Sequence, residues 1–166
     1  LGTMASSVFI RDRYAFLSAS NPALRIVDVI ASNNPVIIGS IGSGITGTNI
    51  FVQGQYAYVS TQRNGLKVYR ISDPTRPMET GTCNINVGSV YVSGSYAYAT
   101  SIDDGLHIID IRTPTNPNEI STLRTTGNAW DVCVMGDYAY VADYASGLQI
   151  VNISDPRNPR LVGALD

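Results

Sequence analysis

Apolar and polar residues alternate in short segments along the whole chain, and no segment has the 3.6-residue period of an amphipathic helix. The clearest segments are triplets in which two aromatic residues flank an alanine. They begin at Tyr14, Tyr56, Tyr96 and Tyr138. Alternation of this kind is typical of β-strands that bury one face. The pattern therefore predicts an all-β protein.

The aromatic triplets recur at a nearly constant distance. Successive triplets are 42, 40 and 42 residues apart, and a second landmark, the polar residue before a proline, has the same spacings. This second landmark is found at Asn34, Arg76, Asn116 and Asn158. Because two landmarks keep the same spacing over four copies, the chain contains four structural repeats. We expect one unit over residues 1–166, with repeats at 5–45, 46–86, 87–127 and 128–166.

Each repeat predicts four short strands. The first is an apolar run such as Val132-Cys133-Val134, and the second carries the aromatic triplet. Between them lies a position that suits positive φ, occupied by Gly54, Gly94 and Gly136 and by Asp12 in the first repeat. Four strands in a unit of about 41 residues form a β-propeller blade, which must stack on neighbouring blades to bury both faces.

The third predicted strand has a recognisable sequence. It reads Leu24-Arg25-Ile26-Val27-Asp28 in the first repeat and Leu106-His107-Ile108-Ile109-Asp110 in the third, and Ser-Asp-Pro follows it at residues 72–74 and 154–156. In these features the chain resembles the LVIVD-repeat family of β-propellers. The resemblance implies a propeller fold and frequent export or attachment to the cell surface. It implies no particular reaction.

The composition excludes some partners. Charged residues make up 14% of the chain, the formal net charge is −2, and Lys67 is the only lysine. A chain with so few basic residues lacks the positive surface that nucleic acids require. No apolar run reaches the roughly 18 residues of a membrane-spanning helix, so we expect no membrane insertion.

Residue types with reactive side chains are scarce. His107 is the only histidine, and its position in the other repeats holds other polar residues, namely Arg25, Lys67 and Gln149. We therefore expect His107 to face solvent, and we expect no metal site, cofactor or catalytic residue. Cys83 and Cys133 are predicted to be small buried side chains, with a single disulfide as the alternative.

A repeat scaffold carries its function on positions that differ between repeats. Two such positions precede each first strand, and the loop between the second and third strands is a third variable region. An aromatic ring beside carboxylate or amide groups can bind a sugar or another flat ligand. The candidate ligand-binding residues are Trp130, Asp131, Asp143, Tyr144, Thr48, Asn49, Arg63 and Asp103.

Three functions are compatible with this pattern. The first is a non-catalytic module, exported or at the cell surface, that binds a protein or a glycan. The second is a hydrolase or lyase acting on carbohydrate through Asp131 and Asp143, which would require two carboxyls about 5 to 9.5 Å apart. The third is a structural segment of a larger surface protein.

The sequence is compatible with more than one number of blades in the working molecule. Four blades can close into a small ring, two chains can form a homodimer with an eight-blade ring, or the repeats can belong to a longer propeller. Propellers with four to eight blades are typical.

Overall fold

The computed structural model describes residues 4–166, so residues 1–3 of the expected unit lie outside the described part of the chain. The first repeat contains β1 (Ala5–Arg11), β2 (Tyr14–Ala19), β3 (Leu24–Asp28) and β4 (Val36–Ile41). The second contains β5 (Gly47–Gln53), β6 (Tyr56–Thr61), β7 (Gly65–Arg70) and β8 (Met78–Cys83). The third contains β9 (Ser89–Ser93), β10 (Tyr96–Ser101), β11 (Gly105–Asp110) and β12 (Asn118–Leu123). The fourth contains β13 (Asp131–Met135), β14 (Tyr138–Ala142), β15 (Leu148–Asn152) and β16 (Arg160–Leu165), with a short 3-10 helix (Tyr144–Ser146) before β15.

Each repeat folds into one four-stranded antiparallel sheet in which the strands follow chain order. Every strand therefore pairs with its neighbours in sequence, and the repeat landmarks fall in register. Tyr14 pairs with Asp28 in the first sheet, and Tyr96 pairs with Asp110 in the third. These sheets are propeller blades, so the predicted all-β fold and its four repeats are confirmed.

The turns between first and second strands explain one recurring feature of the repeat. Gly54, Gly94 and Gly136 have φ values of 57°, 58° and 59°, and Asp12 has a φ of 55°. This left-handed region suits glycine, and aspartate tolerates it better than most residues. The predicted positive φ is confirmed at all four positions.

The chain divides into two compact units, Leu1–Asn86 and Val87–Asp166, each of which contains two blades. In the first unit, β1 lies against β5, and the apolar core includes Phe16, Ile26 and Tyr69. In the second, β9 lies against β13, and the core includes Tyr98 and Ile108. In each unit the first strands of two adjacent blades are brought together, and with them the variable residues at their starts.

Among the described residues, no helix is long and apolar enough to cross a membrane.

The two cysteines differ in exposure. Cys83 is buried, as predicted, whereas Cys133 is exposed, so the prediction of a buried side chain is wrong at Cys133. Its strand, β13, belongs to the last blade, where one sheet face is exposed.

Candidate functional site

The second of the two variable positions joins adjacent blades through hydrogen bonds between equivalent residues. In the first unit, the Asn49 side-chain amide donates to the Ser7 hydroxyl over 3.4 Å. In the second unit, the Ser89 hydroxyl donates to the Asp131 carboxylate over 2.5 Å. The Asp131 carboxylate also accepts from the backbone N–H of Val132 at 3.0 Å, and Asp131 remains exposed. The same repeat position thus links the first strands of the two blades within each unit.

The preceding position is held by hydrogen bonds to the second strand of a blade, through the side chain at Thr48 and through the backbone at Trp130. The Thr48 hydroxyl donates to the Ser60 carbonyl at 3.1 Å. In the last blade, the Trp130 carbonyl accepts from the Thr100 hydroxyl at 3.2 Å, and the Trp130 N–H donates to the Ala142 carbonyl at 2.8 Å. The backbone of Trp130 is therefore fixed from two sides, although its side chain leaves the residue 68% exposed.

Asp143 lies beneath this surface. It is fully buried, and its two carboxylate oxygens accept from the Thr125 hydroxyl at 2.6 Å and from the Gly127 N–H at 2.8 Å. Its backbone N–H donates to the Gly147 carbonyl at 2.7 Å. A buried carboxylate is stable only when such donors satisfy it. Asp143 therefore holds the segment before Trp130 against the loop that follows β14.

Tyr144 is another exposed aromatic residue of the last blade. It is 78% exposed and has a φ of 46°, a left-handed conformation that is costly for a residue with a bulky side chain. The hydrogen bonds of Asp143 and Gly147 on either side hold it there. Because Asp131 pairs with Ala142, Trp130, Asp131 and Tyr144 lie at the same end of β13 and β14.

Of the other two candidates, Asp103 is hydrogen bonded to the same region, whereas Arg63 belongs to the first unit. The Asp103 carbonyl accepts from the Arg124 guanidinium at 3.1 Å, and the adjacent Ile102 carbonyl accepts from the Asn128 amide at 2.9 Å. These bonds connect the Asp103 loop to the segment that Asp143 supports. Arg63 is exposed in the corresponding loop of the first unit.

The expectation that His107 faces solvent is wrong. His107 is 5% exposed, its Nδ1 lies 2.6 Å from a Glu119 carboxylate oxygen, and Thr122 contacts both groups. In the second blade, the Lys67 ammonium donates to Glu79 at 2.8 Å and to Thr82 at 3.1 Å. In these two blades this repeat position therefore forms a structural polar cluster with the fourth strand, which the third-strand sequence alone does not reveal.

The contacts of Glu119 within this cluster displace the pKa of its carboxyl. Its partial burial acts to raise the pKa of the carboxyl, but the hydrogen bonds with His107 and Thr122 outweigh burial. The pKa of Glu119 is consequently held below its usual value of 4.5. The cluster stabilises the sheet by linking β11 to β12.

A cavity of about 420 Å³ lies away from the predicted residues, at the turn between β11 and β12. Its lining is polar and comprises Asp110, Arg112, Thr113, Asn116 and Asn118. Asp110 pairs with the Arg112 guanidinium and accepts from the Arg112 N–H at 3.0 Å, so it shapes the turn itself. Among residues 4–166, no group of three or more His, Cys, Asp or Glu side chains is arranged to hold a metal ion.

Sequence reasoning missed the residues that support the candidate site. Thr125 and Gly127 bind the carboxylate of Asp143, and a Cβ at Gly127 would stand 2.1 Å from the Asp143 carbonyl oxygen. Gly127 and Asp143 lie on opposite sides of the β13–β14 hairpin, so only folding brings them together. The one signal available beforehand was a glycine at a position where the other repeats have different residues.

The four blades define a β-propeller repeat protein whose variable polar and aromatic residues lie at blade ends. The family model described as LVIVD repeat matches residues 2–41, 46–85, 86–125 and 126–166. The chain belongs to the LVIVD-repeat family, as its third-strand sequence predicted.

Solved structures agree on the fold. A functionally unknown protein from Desulfotomaculum acetoxidans superposes with a TM-score of 0.82 at 14% identity, covering 99% of this chain and 57% of that one. The computationally designed protein Ika8 superposes with a TM-score of 0.74 at 8% identity, covering 98% of this chain and 49% of Ika8. The designed protein Ika4 superposes with a TM-score of 0.73 at 8% identity, covering 90% of this chain and 91% of Ika4. This chain thus spans about half the length of two of the three structures. No curated protein matches the sequence.

Proposed function

We propose that this protein is a non-catalytic binding module, exported or at the cell surface, and that it binds carbohydrate at the end of its last blade. The single observation that carries the proposal is the exposure of two aromatic residues, Trp130 and Tyr144, on a fixed backbone beside Asp131. Large aromatic residues normally bury most of their surface. Two exposed ones at one strand end form a surface that suits a ligand with a flat apolar face.

The chemistry of this surface suits a sugar ring. An aromatic face can stack on the C–H face of a sugar, while a carboxylate accepts hydrogen bonds from its hydroxyls. Asp131 is available for this role because it is exposed and its donors, Ser89 and Val132, both contact the same oxygen. Their hydrogen bonds also fix the side chain, which lowers the entropy lost on binding.

The burial of Asp143 favours binding over catalysis. Hydrolysis of a glycosidic bond by two carboxyls requires that both reach the substrate. Asp143 has no exposed surface, and both its oxygens already accept hydrogen bonds within the loop. The pair of acids that the enzyme hypothesis requires is thereby reduced to Asp131 alone.

The composition supports placement outside the cell. The chain has one lysine, and only two of its 13 acidic residues, Glu79 and Glu119, are glutamates. This agrees with the export common among proteins that the sequence resembles. A protein partner in place of a glycan, and a role as a structural segment of a larger surface protein, are the competing outcomes of the test below.

Trp130 is the only tryptophan, so its fluorescence reports on the proposed site directly. We expect a saturable fluorescence change on titration with one or more soluble oligosaccharides from a panel of hexose and N-acetylhexosamine oligomers. Asp131→Asn and Tyr144→Ala should weaken the response at least about tenfold, the size of one lost strong contact. Asp137→Asn, an equal charge change beyond the opposite end of β13, should leave it unchanged. Absence of any saturable response, or cleavage of a bound oligosaccharide, would contradict the proposal.

A further inference from the structure

Within each unit, two different sheet faces pack on each other. One face carries aromatic, leucine and isoleucine side chains and is called the aromatic face. In the first blade it comprises Phe9, Tyr14, Phe16, Leu24 and Ile26. The opposing face of the next blade carries mainly valine, isoleucine and alanine side chains and is called the valine face. In the second blade it comprises Ile50, Val52, Ala57, Val59 and Tyr69.

The second unit repeats this arrangement with equivalent residues. The aromatic face of the third blade, with Tyr96, Tyr98 and Ile108, packs on the valine face of the fourth, with Val132 and Val141. In each unit, the earlier blade therefore presents its aromatic face to the later one. Consecutive blades in both units pack by the same rule.

The valine face of the first blade has no covering blade within its unit. Val8 and Ile10 are 57% and 60% exposed, whereas their equivalents Ile50 and Val52 are each 4% exposed. This face is also more apolar than the covered face of the second blade, because Ile37 stands where Glu79 does there.

The aromatic face of the fourth blade is open in the same way. Tyr138, Met135 and Leu165 are 40%, 69% and 70% exposed, and Cys133 beside them is exposed too. Their sheet partners Tyr140 and Ile150 continue the face across β14 and β15. Tyr138, Tyr140, Ile150 and Leu165 stand 42 residues after identical residues of the third blade, namely Tyr96, Tyr98, Ile108 and Leu123.

We infer that these two faces bind each other between two copies of the chain. A second copy offers both missing surfaces at once, each with the residues that the packing rule within each unit requires. Head-to-tail contacts form rings when the rotation closes and filaments when it does not. Two chains of four blades give eight, which lies within the range of closed propellers. Exposed apolar faces of this extent are otherwise a liability for a protein in water.

The interface has a consequence for the candidate binding site. Equivalent residues of adjacent blades contact each other at the Ser7–Asn49 and Ser89–Asp131 positions. The same register sets Ser7 of the partner subunit next to Asp131, so the site would be completed by the other chain. This consequence rests on the proposed carbohydrate site, whereas the interface does not.

The test substitutes a residue on one of the two faces and measures the accessibility of the other. Light scattering after size exclusion should give twice the 17.8 kDa mass of one chain for the unmodified protein. Ile10→Glu, on the first blade, should reduce the mass to that of one chain. It should also speed alkylation of Cys133, on the fourth blade, by about tenfold or more, because covered groups react only on opening. Leu165→Glu should give the single-chain mass independently.

Ile30→Glu is the matched control, since Ile30 is 70% exposed in the loop after β3 and lies on neither face. This variant should have the mass of two chains, and its Cys133 should react slowly. Circular dichroism should show β-structure in all variants. If the unmodified protein had the mass of one chain and a slowly reacting Cys133, the four blades would close within one chain. If it had that mass and a rapidly reacting Cys133, the face of the fourth blade would be open. Either result overturns the inference, as does a dimer that survives both Ile10→Glu and Leu165→Glu. None of these masses depends on sugar binding.

Discussion

The Ser89 hydroxyl donates a hydrogen bond of 2.5 Å to the carboxylate of Asp131, its equivalent one repeat later in the sequence. Ser89 begins β9 and Asp131 begins β13, so the bond joins the first strands of two blades. It fixes the one exposed acid that lies beside Trp130. Together with the bond from the Thr100 hydroxyl to the Trp130 carbonyl, this contact couples blade packing to the candidate binding site.

Ser89→Ala should lower the free energy of unfolding by about 1 kcal/mol, because it removes a charge-assisted bond whose acceptor can still reach water. Urea denaturation measures the loss. Ser7→Ala is the matched control, since its bond from Asn49 is longer at 3.4 Å. Its loss should be smaller than that of Ser89→Ala. Equal losses would show that the serine hydroxyls contribute through something other than these bonds.

Asp143→Asn should cost about 2 kcal/mol, because a buried amide –NH₂ would meet the Gly127 N–H or the Thr125 hydroxyl in place of an accepting oxygen. Chemical denaturation followed by Trp130 fluorescence reports the change close to the altered loop. Asp137→Asn removes an exposed carboxylate from the same blade and should stay within about 0.5 kcal/mol of the unmodified protein. Unchanged stability in Asp143→Asn would mean that the buried carboxylate does not hold the loop.

Two glycines allow the stability cost of a left-handed backbone to be measured apart from the cost of close packing. Gly54 has a φ of 57°, and a Cβ there would stand in open space, so Gly54→Ala should cost about 1 kcal/mol for the left-handed backbone alone. Gly65 has a φ of 76°, and a Cβ there would stand 2.1 Å from the Cys83 carbonyl oxygen. Gly65→Ala should therefore cost about 3 kcal/mol or more. Thermal unfolding by circular dichroism compares the two, and similar midpoints would be inconsistent with the packing argument.

Glu119 should make stability depend on pH. Because its pKa is lower in the folded protein than its usual 4.5, its contribution is present above that value and is lost as pH falls through the folded pKa. Glu119→Gln should flatten the decline of the urea midpoint over that acidic range. Asp137→Asn provides the comparison with an exposed carboxylate of the same unit. A decline of the same slope in Glu119→Gln and the unmodified protein would rule out this linkage.

The sequence by itself determined the repeat, its four strands and the family. Strand positions could be predicted because they depend on local properties, such as the alternation around Tyr56 and the positive φ required at Gly54 and Asp12. These properties recur at fixed spacing, so four copies confirm one another. The variable positions that hold Trp130 and Asp131 also followed from comparing the repeats.

Only the tertiary structure decided what those positions do. Whether Asp143 is buried depends on Thr125 and Gly127, which approach it across a hairpin. His107 was expected to face solvent because its polar equivalents vary, and its partner Glu119 lies on the neighbouring strand, which no single-strand pattern records. Burial and hydrogen bonding are set by which strands and blades come together. Alternation along one strand distinguishes its two faces, but neighbouring sheets determine which of them is covered.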